Sequence, residues 1–254
     1  MLRSSTIWKV AVLVLIGCSY ARADMIANES EIALLPPYCK GTQQIREVSH
    51  DPVPISQYVD VYGESFMHLH HYCWALNSEN KANAMFNKRD HDAKLNGALG
   101  DMKYILTNAS PDFILLPDIY NSQARMLFEL RRDSEAVLSL EKAIELKPGY
   151  VPAVARLSDY FVSIGDKEKA IQTLKNGIDN TENANFLISK LAKLGVTYQG
   201  TPGRAIKKEE QVKAAPPAAS PDAASPSSAT PGDAAQPVQA TSHPANNPYC
   251  RFCP

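Results

Sequence analysis

"PDIYNSQARMLFELRRDSEAVLSLEKAIELKPGY", residues 117–150, lies in register with "VPAVARLSDYFVSIGDKEKAIQTLKNGIDNTENA", residues 151–184, at an offset of 34. Tyr120 falls on Val154, Leu127 on Phe161, Ala136 on Ala170, Leu140 on Leu174 and Ala143 on Gly177. Each unit holds two stretches with apolar residues at helical spacing. A short polar turn separates them, Arg131-Arg132-Asp133 in the first unit and Gly165-Asp166-Lys167 in the second. Pro148-Gly149 closes the second helix of the first unit, because proline cannot continue a helix and glycine tolerates the turn. The small residues have a mechanical role: bulkier side chains there would push the two helices of a unit apart.

A period of 34, with Ala124, Ala136 and Ala143 small and Pro148 near the end of the unit, resembles the tetratricopeptide repeat. The second unit departs at its end, where Glu182 stands in place of the proline. The resemblance implies an all-α fold of stacked antiparallel helix hairpins. In that family the first (A) helices line a groove that holds a partner. Carried over position by position, the groove residues are Asp118, Asn121, Arg125 and Glu129 in the first unit and Ala155, Arg156 and Asp159 in the second. They lack the two-lysine pattern of repeats that clamp a C-terminal carboxylate, but Arg125 and Arg156 suit an acidic ligand group.

Two such units do not close a stack, so flanking helices are expected. Downstream, Leu187, Leu191 and Leu194 form an apolar stripe, which predicts a capping helix within 185–200. Upstream, Leu95, Leu99, Met102 and Leu106 predict a second (B) helix, and "GESFMHLHHYCWALNSE" from Gly63 predicts its A partner. We read 63–116 as a diverged first repeat with a long loop from about Asn77 to Asp90. In "RDHD", Arg89–Asp92, an aspartate is expected as helix N-cap. Residues 24–62 read as irregular chain packed along this unit.

Both ends look different. Arg3 and Lys9 precede an apolar run, Val10 to Ile16, too short to span a bilayer, which predicts an export signal over residues 1–23. Ala21-Arg22-Ala23 offers a cleavage site; Leu15-Ile16-Gly17-Cys18 resembles a bacterial lipobox, in which Cys18 is lipidated. Residues 201–246 are almost wholly Ala, Pro, Ser, Gln and Asp towards their end, a composition that predicts a disordered linker spanning on the order of 40 Å. It ends in "NPYCRFCP", residues 247–254, expected to act as a docking or disulfide-forming tip.

Without Cys18, four cysteines remain: Cys39, Cys73, Cys250 and Cys253. An even number in an exported chain fits two disulfides, and four cysteines allow three pairings. Cys39 and Cys73 both lie in Tyr-Cys dipeptides, and a bond between them would staple the N-terminal segment onto the first A helix. Cys250 and Cys253 have C-x-x-C spacing, but no βαβ pattern surrounds them, and Pro254 stands where a haem site needs histidine. Asn28 and Asn108 match the glycosylation sequon, which matters only in a eukaryotic source.

"MHLHHYCW", residues 67–74, gathers His68, His70, His71 and Cys73. Histidines three or four apart on a helix can ligate a metal, but no second ligand pair follows, and an apolar face flanked by histidines is the simpler reading. We therefore expect no metal and no cofactor. No nucleophile elbow, phosphate loop or zinc-protease helix is present, which favours a non-enzyme. A net charge of −1 argues against nucleic acid as partner. The expected function is a protein- or peptide-binding scaffold or adaptor in the periplasm or at the outer membrane, with membrane contact only through a lipid anchor or an envelope partner. An accessory subunit of an envelope enzyme or secretion machine shares these features. The alternative of a different class is a metal or redox carrier using the histidines and the C-terminal cysteines.

Overall fold

The computed structural model describes residues 26–206. The stretch read as an export signal, Cys18, most of the stretch read as a linker, Cys250, Cys253 and the residues of "NPYCRFCP" lie outside the described residues. Within them all regular structure is helical and no strand occurs. The segment read as irregular carries three short α-helices, α1 (Glu29–Ile32), α2 (Ile45–Ser49) and α3 (Ile55–Tyr62), and a 3₁₀ turn, Pro37–Gly41. A second 3₁₀ turn, Glu64–His68, leads into α4 (Leu69–Asn83) and α5 (Lys88–Asn108). Then follow α6 (Leu116–Glu129), α7 (Asp133–Leu146), α8 (Val151–Ser163), α9 (Lys167–Asp179) and α10 (Asn185–Lys193).

Helices pair in order, α4 with α5, α6 with α7 and α8 with α9, and α10 packs on α8 and α9. The A-type helices α4, α6, α8 and α10 also touch in sequence. The 34-residue repeat is visible in the backbone itself. Leu130 N–H donates to Met126 and Arg132 N–H to Leu127; 34 residues on, Ile164 donates to Tyr160 and Asp166 to Phe161. Arg131 and Gly165, equivalent in the repeat, both take positive φ, 59° and 81°. Such bonds close a helix C-terminus and use otherwise orphaned carbonyls. Pro117 and Pro152 start α6 and α8 in the first turn, where a missing N–H costs nothing.

The small residues do what the sequence required. Ala124, Ala136, Ala143 and Ala170 are fully buried. A Cβ on Gly177 would lie 2.5 Å from Val154 Cγ1, and one on Gly149 would lie 2.0 Å from the Asn180 carbonyl oxygen. The core runs along the stack in three sets of side chains. Phe66, Leu69, Leu95 and Met102 anchor the first, Leu127 and Leu140 the second, and Leu174, Ile178, Leu187 and Leu191 the third.

Three expectations need correction. The long loop from Asn77 to Asp90 does not exist: α4 continues to Asn83 and only residues 84–87 connect it to α5. Its polar residues mislead because α4 is buried nearly all round, with Asn77 and Glu79 each paired across an interface. The N-cap of α5 is Asn87, whose side chain accepts from Arg89 N–H at 2.9 Å; Asp92 lies within the helix and pairs with Lys88. Residues 201–206, expected to begin the linker, are tied to α9: Gly203 N–H donates to the Ile178 carbonyl, and Arg204 donates to Asp179 at 2.6 Å.

Candidate partner-binding groove

Cys39 and Cys73 form a disulfide, both sulfurs buried. It fixes the N-terminal segment on α4. Glu31 adds a second tie, accepting from Asn77 at 2.8 Å and lying 3.1 Å from Lys81. Tyr58 stacks on Phe66 with ring centroids 5.0 Å apart. The bond also removes Cys73 as a metal ligand.

The histidines are built into this first unit. His70 and His71 are buried against Trp74, and the His71 ring packs on Tyr104 with centroids 3.8 Å apart. His71 Nδ1 lies 2.9 Å from Asp101 Oδ1, and its Nε2 is buried without a hydrogen-bond partner. Burial, reinforced by the neighbouring His71, pushes His70 down to about 3, so it is neutral at physiological pH. Burial also lowers His68. Among the described residues no group of three or more His, Cys, Asp or Glu side chains is placed to hold a metal ion. His70 and His71 sit inside the apolar packing rather than flanking it, while His68 is half-buried at its edge.

The carried-over groove residues lie on the A-type helices, and most have partners within the chain. Arg125 on α6 forms a two-pronged pair with Glu79 of α4, through Nε to Oε1 and Nη2 to Oε2. Glu79 is 4% exposed and Arg125 34%. Asp118 accepts from the Tyr150 hydroxyl at 2.7 Å, and burial with this bond pushes Tyr150 up. Beside them Tyr72 bonds Ser122 at 3.0 Å, and burial raises it to about 12. Glu129 Oε2 sits 3.4 Å from His91 Nε2, an ion-pair separation without hydrogen-bond geometry, and burial raises its carboxyl. Asp159 on α8 pairs with Lys190 on α10. Ala155, on α8, is buried as part of the third set of core residues.

Arg156 differs. Its Nε donates to Asn121 Oδ1 at 3.3 Å, and no carboxylate of the described residues lies within ion-pair distance. Burial, and after it the nearby Arg125 guanidinium, hold it below the usual arginine range. Glu79, Arg125, Asn121, Arg156, Asp159 and Lys190 thus form one polar row crossing α4, α6, α8 and α10.

Lys190 and Phe186 were missed by treating α10 only as a cap. Stepping 34 residues on from Pro152 and Arg156 reaches Phe186 and Lys190, so the repeat itself held the signal. Glu79, at the end of the stretch predicted as the first A helix and inside the expected loop, had no such signal. No protein-family model matches the chain, and no curated protein matches it.

Proposed function

We propose that this chain is an exported protein-interaction scaffold of a bacterial cell envelope, built of tetratricopeptide-like repeats and holding a segment of another protein in the groove of its A-type helices. The observation that carries this reading is the polar row running through α4, α6, α8 and α10, on helices spaced by the 34-residue repeat. Repeat stacks bury their cores between neighbours and leave one continuous face for a ligand. The buried Cys39–Cys73 disulfide supports an oxidising compartment, and the N-terminal charge and apolar pattern supports export. Among the described residues no helix is long and apolar enough to cross a membrane. The membrane contact proposed is a lipid anchor at Cys18 or an envelope partner. The reading is non-catalytic, with a protein or peptide as partner and no nucleic acid.

The test obstructs the groove. Pro152 is exposed in the first turn of α8, and Leu138 is 65% exposed on α7. Tagged full-length Pro152→Trp and Leu138→Trp are compared with the parent in capture of envelope proteins, with circular dichroism as a check on folding. Loss of the captured band in Pro152→Trp alone supports the groove. Equal capture by all three refutes it.

A further inference from the structure

Every carboxylate near Arg156 is turned to another partner. Glu79 is held by both prongs of Arg125, Asp118 by the Tyr150 hydroxyl and Asp159 by Lys190 across the α8–α10 contact. Asp159, three residues on from Arg156, is the carboxylate a helix would ordinarily offer it. Its diversion to α10 leaves the Arg156 guanidinium with one long bond to Asn121. A partly buried cation beside a second cation is unfavourable for the isolated chain.

We infer that Arg156 is the anion-recognition residue of the groove, taking a carboxylate side chain of an extended acidic segment of the partner. This rests on the groove reading and narrows it to a ligand chemistry. The guanidinium fork matches a carboxylate with two parallel hydrogen bonds, and Asn121 takes only Nε, which leaves the two Nη groups as the donors for that pair. Arg125 cannot take this role without releasing Glu79, which is nearly fully buried. The disulfide-bound N-terminal segment covers α4, so the open part of the row is that of α6, α8 and α10.

The experiment is a nuclear magnetic resonance titration of the full chain with an acetylated, amidated octapeptide of alternating Glu and Ala. The Lys–Ala counterpart and inorganic phosphate serve as comparison probes. Expected is a shift of the Arg156 Nε–H resonance and of α6, α8 and α10 amides with the Glu peptide only. Affinity should fall about tenfold or more in Arg156→Gln and less in Arg156→Lys, which keeps charge but not the fork. Unchanged affinity in Arg156→Gln, no shift with the Glu peptide, or tighter binding of phosphate overturns the carboxylate assignment. Shifts along α6, α8 and α10 that survive Arg156→Gln overturn only that assignment, while shifts confined to α7 and α9 overturn the groove reading as well.

Discussion

Replacing both Cys39 and Cys73 by alanine removes the side-chain cross-link between the N-terminal segment and α4. The two cysteines are 34 residues apart. In the chain-entropy description, a closed loop of that length removes about 4 kcal/mol of unfolded-state freedom. The remaining ties of the segment survive this substitution: Ile26, Leu35 and Ile45 buried in the first core set, Glu31 on Asn77 and Lys81, and the stacking of Tyr58 on Phe66. The double variant should therefore lose about 4 kcal/mol in urea unfolding followed by far-ultraviolet circular dichroism. For a folded region of this size that corresponds to a Tm lower by on the order of 10 °C. Either single substitution should cost nearly as much as the double, since the loop opens with the first. Hydrogen exchange should rise in peptides from α1 to α3 and stay unchanged in α7 and α9. A loss below about 1 kcal/mol, or exchange rising equally along the chain, would refute the view of this bond as a staple for the N-terminal segment.

Gly177→Val should destabilise by roughly 1–3 kcal/mol in the same assay, because the new side chain meets Val154 and Leu187 in a closed core. Glu79→Gln should cost about 2 kcal/mol, less than a fully buried pair, because a third of the Arg125 side chain faces water. Stability should fall as pH drops below about 6.5 towards 3, because the unfolded chain takes up a proton that His70 refuses in the fold; at pH 4 this amounts to about 3 kcal/mol, and His70→Gln should flatten that part of the pH profile.

The fold was legible where one face of a helix is apolar and the other wet. Helices α6 to α9 follow from the repeat, and Leu187 and Leu191 mark α10. The presence of α4 was legible but its C-terminal end was not, because burial on all sides removes the periodic contrast and Asn77, Ser78 and Glu79 look like loop. Legibility failed again in residues 24–62, where α1 and α2 are too short to show a period, although Ile55, Tyr58, Val59 and Tyr62 give α3 a helical stripe of its own. The groove positions were legible as positions but not as chemistry. Arg125 and Arg156 look alike in sequence, and only the location of Glu79 shows that one is spent and the other is not.

The central claim is that the A-type face receives the partner. Its most direct test is in-cell photo-cross-linking from a benzoylphenylalanine placed at Asp159, which is 63% exposed in the row, or at Leu138 on α7. A discrete adduct from position 159 and none from 138 is the expected result, with the cross-linked partner peptide rich in Asp or Glu. Adducts of equal yield from both positions, or from 138 alone, would contradict it.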